Sequence, residues 1–271
     1  MDPVERFKLL VAGYVGNVYF STWESKGKST IPTFDGEVLE GELENGTKFQ
    51  GSHVSRNPPT VKMTFTGPDQ RWTIECEMIT QGFPKGVGNR IHGTKTGTTK
   101  LSFKDGSEYS FTYPYLSIES ALKSTKHFSL WSEPNEPCVI KDFKNKMVAV
   151  LDFKQNKKGF WEGMFAPKNM PTAYQKNQVD IKICTMDHGE RPLNTVCRGT
   201  ANYMSYVELD GKCYWRVSDG FEHWDMRKPG LNTSDNATIN REYFKHILAQ
   251  NWSEADKELT CWESQSLAYK K

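Results

Sequence analysis

With Lys+Arg 35 against Asp+Glu 33, the 271-residue chain has a formal charge of +2, which excludes the strong overall field that nucleic-acid binding draws on. Hydrophobic residues make up 37%, enough for a sizeable core, yet no run approaches the roughly 20 apolar residues that span a bilayer as a helix. The opening MDPVERFKLL has neither the basic start nor the apolar stretch of a secretory signal, so a cytoplasmic chain is expected.

The first segment reads as a helix. Asp2 is placed to cap it, Pro3 suits its first position, and Glu5 favours the positive end of the dipole. Phe7, Leu10, Val11, Tyr14, Val15 and Val18 then recur at helical spacing, a stripe that predicts core packing. From about residue 36 the period becomes two. In TVKMTFTG, Val61, Met63 and Phe65 alternate with Lys62, Thr64 and Thr66. In RWTIECEM, Trp72, Ile74, Cys76 and Met78 share one face. Such alternation belongs to antiparallel strands with one dry and one wet side. Hairpin turns are expected at Asn45-Gly46, Asp105-Gly106 and Asp210-Gly211. Leu101 and Phe103 lead into the second turn, and Tyr109 and Phe111 lead out of it.

Further strands are expected at Met147–Phe153, Val179–Cys184, Tyr203–Leu209 and Lys212–Val217, with 167–177 as a polar loop. The end turns helical again. Phe244, Ile247 and Leu248 form a short stripe, Ser253 with Asp256 resembles a capping box, and Ala255, Leu259, Trp262 and Ser266 follow. Helix, many strands, then helices predict a mainly β fold, a large antiparallel sheet that curls into a barrel, avoids exposed edges and encloses a cavity. The chain reads as one domain over 1–271.

Catalytic chemistry finds no anchor. Of the histidines His53, His92, His127, His188, His223 and His246, none has a metal-ligand spacing, and G-x-S-x-G is absent. The six cysteines (Cys76, Cys138, Cys184, Cys197, Cys213 and Cys261) contain no CxxC pair, so reduced thiols are expected rather than a zinc site. The glycine-rich QGFPKGVGNRIHG (81–93) lacks the phosphate-loop lysine and reads as a connecting loop. Neither a catalytic residue, a metal nor a cofactor is predicted.

SHVSRNPPTVKM (Ser52 to Met63) carries more. Two prolines fix the entry to a strand, and Ser55, Arg56 and Asn57 set donors at its mouth; arginine can fork onto a phosphate. The bare residues also fit a rigid turn with a solvated arginine. SHVSRNPP resembles the EQVSHHPP fingerprint of oxysterol-binding-protein-related lipid-binding domains. The resemblance extends from DPVERFKLLVAGYVGNVYFSTW (Asp2 to Trp23, against DPLERM) through GKSTIPTFDGE (Gly27 to Glu37, against GKPFNPxLGE). It continues through the strands from Trp72 to Glu133, ending in LWSE, to NREYFKHILAQNWSEADKEL (Asn240 to Leu259), where Arg241 keeps the family's arginine.

The resemblance implies a large incomplete antiparallel barrel around an apolar tunnel holding a sterol or a glycerophospholipid, exchanged in many members for phosphatidylinositol 4-phosphate between membranes. It implies a lipid headgroup site at Lys28, Ser55, Arg56, Asn57 and Glu263, with transient membrane contact and no polybasic anchor. Three departures accompany it. The family's lid precedes the first helix and is expected to be absent; the fingerprint's His-His pair is Arg56-Asn57; and the closing K-x-x-x-E-x-x-x-R ladder falls on Leu259, Glu263 and Leu267, whose leucines cannot bind phosphate. Weakened inositide recognition is therefore expected. The alternative is a degenerate barrel serving as a protein-interaction scaffold.

Overall fold

The computed structural model describes residues 1–20, 36, 38–84, 91–114, 116–119, 131–134, 137–153, 177–220, 226–229, 243, 245–246 and 249–268. In chain order the elements are α1 (Pro3–Tyr19), β1 (Val38–Leu43), β2 (Lys48–Arg56), β3 (Pro59–Thr66), β4 (Trp72–Pro84), β5 (Ile91–Thr96), β6 (Thr99–Phe103), β7 (Glu108–Phe111) and β8 (Leu116–Glu119). There follow β9 (Trp131–Pro134), β10 (Cys138–Asp142), β11 (Met147–Phe153), β12 (Gln178–Met186), β13 (Pro192–Asn202), β14 (Tyr206–Leu209), β15 (Lys212–Arg216), β16 (Met226–Pro229) and α2 (Trp252–Ala268). The chain divides into two compact units: Met1–Lys28, Gly82–Lys95 and Ser107–Phe221 form the first, and Ser29–Gln81, Thr96–Gly106 and Glu222–Lys271 the second.

The first unit is built on α1. The Asp2 carboxylate accepts from the Glu5 N–H at 3.0 Å, and Pro3 sits where a missing N–H costs nothing. Phe7, Val11 and Val15 are fully buried, as the helical stripe predicts. Phe7 stacks on Tyr109 and Tyr14 on Phe111, with ring centroids 6.2 and 5.8 Å apart. The Tyr14 hydroxyl donates to the Thr112 carbonyl at 2.7 Å, so its polar tip is satisfied inside the core.

Beneath the helix the antiparallel order is β15-β14-β13-β12-β11-β10-β7. Register places Ile140, Ala149, Leu151, Ile181, Ile183, Gly199 and Leu209 on one face. Most of these side chains are completely buried. Full burial of each large aliphatic side chain stabilises by about 1.5–3 kcal/mol, so this face is the main core of the unit. Gly199 is required there, because a Cβ would lie 2.1 Å from the Glu208 carbonyl oxygen. Asp210-Gly211 forms the expected turn, both residues at positive φ (49° and 74°).

Three expectations need correction. Tyr203 is not in a strand: β13 ends at Asn202, and the Tyr203 hydroxyl and N–H instead bind Asn177, at 2.8 and 3.1 Å, before β14 begins at Tyr206. The stretch 81–93 is strand at both ends, because β4 runs to Pro84 and β5 starts at Ile91. Pro192–Asn202 was not expected as a strand; its first residues are exposed and show no clean alternation. The loop 167–177, apart from Asn177, and the Phe244, Ile247 and Leu248 stripe lie outside the described residues.

In the second unit the order is β6-β4-β3-β2-β1-β16. Here the period-two reading holds rung by rung. Gly41, Phe49, Phe65, Ile74 and Leu101 stand in one cross-strand row, and Leu39, Gly51, Met63 and Cys76 in the next. The opposite face carries Glu40, Gln50, Thr64, Glu75 and Lys100, with Gln50 donating to Glu40 at 2.6 Å. Helix α2 starts at Trp252, so Ser253 lies in its first turn rather than before it.

Candidate functional site

Three of the predicted headgroup residues, Ser55, Arg56 and Asn57, lie at the β2–β3 hairpin of the second unit. Ser55 stands opposite Thr60 and Arg56 opposite Pro59, with the cis Asn57-Pro58 peptide at the tip. The Ser55 hydroxyl accepts from the Asn57 N–H at 3.2 Å, and the Thr60 hydroxyl donates to the Pro58 carbonyl at 3.0 Å. These bonds tie the tip to its own strands, in the manner of a short hydroxyl-capped turn. Asn57 is exposed. The backbone thus brings Ser55, Arg56 and Asn57 together, while Lys28 and the side chains of Arg56 and Glu263 lie outside what the structure describes. The Gly36 N–H donates to the His53 carbonyl at 2.7 Å, so the end of the GKSTIPTFDGE element docks on the fingerprint strand.

Running from this hairpin is the apolar face of β1, β2, β3 and β4. Phe49, Met63, Phe65 and Ile74 on it are only half-buried, and Leu39 is 42% exposed. Phe49 and Phe65 sit side by side, ring centroids 6.2 Å apart. His53 shares the face near the hairpin and is 6% exposed. A contiguous apolar surface that is partly open makes this face the candidate binding surface of the second unit. Its side chains could wall a hydrocarbon, with the Ser55, Arg56 and Asn57 hairpin at one end.

Sequence reasoning missed a polar cluster in the first unit. Lys8 lies on the α1 stripe that also carries Ala12, Val15 and Tyr19, and it is 8% exposed. Its ammonium meets the Asp210 carboxylate at 2.8 Å and Glu5 at 3.6 Å. The Tyr214 hydroxyl donates to Glu5 at 2.9 Å, and Lys212 lies 4.8 Å from the Tyr214 ring centroid. The Lys8 contact holds the Asp210 carboxyl below its ordinary range, and the Tyr214 hydrogen bond does the same for Glu5. The sequence signal was the i, i+3 pair Glu5–Lys8 on a helix whose stripe Lys8 interrupts. The cluster clamps α1 to the β14–β15 hairpin.

Nothing in these groups is poised for covalent chemistry. Burial pushes the Cys138 and Cys197 thiols up to about 12, so both stay protonated at neutral pH. Among the described residues no cluster of His, Cys, Asp and Glu could hold a metal, and no helix is long and apolar enough to cross a membrane.

The fold is mainly β, with antiparallel strands whose half-open apolar face ends at a polar hairpin. No family model matches the chain. The sequence is 22% identical over 269 residues to oxysterol-binding protein 9 of Dictyostelium discoideum, covering 94% of this chain and 59% of that protein. Among solved structures, the Osh1 ORD domains in complex with ergosterol and with cholesterol each match over 98% of this chain and 65% of theirs, at TM-score 0.61 and 13% identity. The Osh3 ORD of Saccharomyces cerevisiae in complex with PI(4)P matches over 77% of this chain and 50% of its own, at TM-score 0.57 and 13% identity. In sequence the chain resembles oxysterol-binding protein 9, and its fold is similar to that of the Osh1 ORD, as expected for an incomplete antiparallel barrel. It spans about 59% of the length of the curated relative it matches.

Proposed function

We propose that residues 1–271 act as a single lipid-binding domain that holds one sterol or glycerophospholipid and carries it between membranes from the cytoplasm. The half-exposed apolar face of β1–β4 carries this reading: Leu39, Phe49, Met63, Phe65 and Ile74 supply a wall that replaces bilayer hydrocarbon around a lipid. The solved relatives with ergosterol, cholesterol and PI(4)P support the ligand class. Lys28, Ser55, Arg56, Asn57 and Glu263 meet the headgroup, by likeness to the family motifs. Recognition of phosphatidylinositol 4-phosphate is weakened, because leucine stands at both cationic positions of the closing ladder, Leu259 and Leu267. Contact with membranes is transient and the reading involves no enzymatic step.

The test is mass spectrometry of lipids extracted from the purified protein after incubation with liposomes of sterol, phosphatidylserine and phosphatidylinositol 4-phosphate. Recovery of sterol or phosphatidylserine without the inositide is expected. Recovery of the inositide at equal yield contradicts the weakened site, and an empty protein overturns lipid carriage in favour of a scaffold.

A further inference from the structure

Glycine inside a β-strand needs a reason, because it loses the most conformational entropy on folding and gives the sheet no side chain to pack. Gly199 has one, the Glu208 carbonyl that a Cβ would strike. The turn glycines Gly46, Gly106 and Gly211 have another, since each holds a φ between 74° and 80°. Gly51, inside β2, has neither. Its φ lies outside the positive range. A Cβ built on it would meet Met63 Cγ at 3.6 Å and the Leu39 carbonyl oxygen at 3.9 Å, both ordinary van der Waals contacts. Its ladder is unbroken on both sides, with Leu39 of β1 and Met63 of β3 as partners, and the bulge of β2 begins after His53. Among the described residues, nothing in the fold requires a glycine at this position.

Its surroundings supply the reason. Gly51 lies on the half-open apolar face of the second unit, with Leu39 and Met63 to either side and Phe49 and His53 two residues away along β2. Leu39 is exposed, and Gly51, Phe49 and Met63 are partly so. The missing side chain leaves a depression about 10 Å across, two strand spacings, floored by the β2 backbone. Where no bulge or bend calls for it, a strand glycine marks the close approach of a ligand or of another backbone. Among the described residues, the one backbone atom within 4 Å of that Cβ, chain neighbours aside, is the Leu39 oxygen of its own rung. A ligand is what remains.

We propose that Gly51 is a specificity-determining residue of this wall, clearing a bed for a rigid fused-ring lipid of the sterol class. The inference rests on the reading of the wall as the lipid site. Rigidity separates the two lipid classes. An acyl chain rotates about each of its single bonds and can pass around one added side chain. A fused ring system cannot bend, so a valine at 51 holds its face away from the β2 backbone and from Leu39, Phe49 and Met63. A gap of even a fraction of an ångström over that area forfeits much of the dispersion that holds an apolar ligand. Gly51 thus gives up strand stability for room, a common relation at binding sites.

The experiment compares the whole chain as wild type, Gly51→Ala and Gly51→Val. Each is incubated with phosphatidylcholine vesicles carrying either cholesterol or dioleoyl phosphatidylserine, re-isolated, and its bound lipid counted by mass spectrometry. Unfolding temperature is measured on the lipid-free protein. Gly51→Val should lower cholesterol occupancy at least about tenfold and change phosphatidylserine occupancy by less than about twofold. Gly51→Ala, which adds the Cβ alone, should fall between it and the wild type. Both variants should unfold at or above the wild-type temperature, because alanine and valine suit a strand better than glycine. Unchanged cholesterol occupancy, equal loss of both lipids, or a lower unfolding temperature in both variants would each overturn the role of Gly51. A wild type that takes up phosphatidylserine but no cholesterol would overturn it too, while leaving the lipid wall standing. A wild type that takes up neither lipid would overturn the wall itself, and this inference with it.

Discussion

The two units use the same alternation of apolar and polar residues to opposite ends. In the first, α1 covers the apolar side of the sheet, and Ile140, Leu151, Val179, Ile183, Val207 and Leu209 are fully buried. In the second, the equivalent side keeps Phe49, Met63, Phe65 and Ile74 half-open. One unit therefore places its hydrophobic free energy in folding, while the other leaves part of its apolar face open, which is where the proposed lipid would lie. Periodicity specifies which face is apolar but is silent about what fills it.

This contrast can be broken by substitution. Phe7→Ala, in the filled core, should destabilise the protein by about 3–5 kcal/mol in denaturant unfolding. A loss near that of a surface residue would mean that α1 is not the core of its unit. Gly199→Ala forces a Cβ onto the Glu208 carbonyl and should cost about 1–3 kcal/mol, read in the same way. Asp210→Asn leaves the buried Lys8 ammonium without its nearest partner. Because Asp210 is itself nearly half-exposed, solvent screening limits the loss to roughly 1 kcal/mol.

That last effect carries a pH signature. The folded Asp210 carboxyl titrates below its ordinary value because of Lys8, so its contribution is present above the unfolded value of about 4 and fades as pH falls through the depressed one. Unfolding curves of wild type and Asp210→Asn should differ most near neutrality and converge in acid. A gap that widens in acid would reverse the assignment. The smallest expected change is Phe65→Ala, below about 1 kcal/mol, because the ring is already half in solvent; a loss of the Phe7 size would show the wall to be ordinary core.

Much of this architecture was legible in the residues. Asp2, Pro3 and the Phe7, Val11 and Val15 stripe announced α1, and the alternation from Val61 to Met78 announced β3 and β4 on the correct faces. The fingerprint placed Ser55, Arg56 and Asn57 at one hairpin because a local motif needs only local geometry. What escaped was long-range. Lys8 meets Asp210 across a sequence gap that no periodicity spans, and Pro192–Asn202 is held as a strand by β12 and β14 rather than by its own pattern. Tyr203 has a β-favouring side chain, yet its partner Asn177 holds it in a turn.

The central claim is that the apolar face of the second unit is the lipid wall. Its most direct test is the lipid-to-protein ratio, by mass spectrometry after liposome incubation, for the wild type and Phe65→Asp, each checked for an intact unfolding transition. The account predicts about one sterol or glycerophospholipid per wild-type chain and at least a tenfold lower occupancy in Phe65→Asp, since a carboxylate against hydrocarbon is strongly disfavoured. Equal occupancy in a folded Phe65→Asp protein would contradict it.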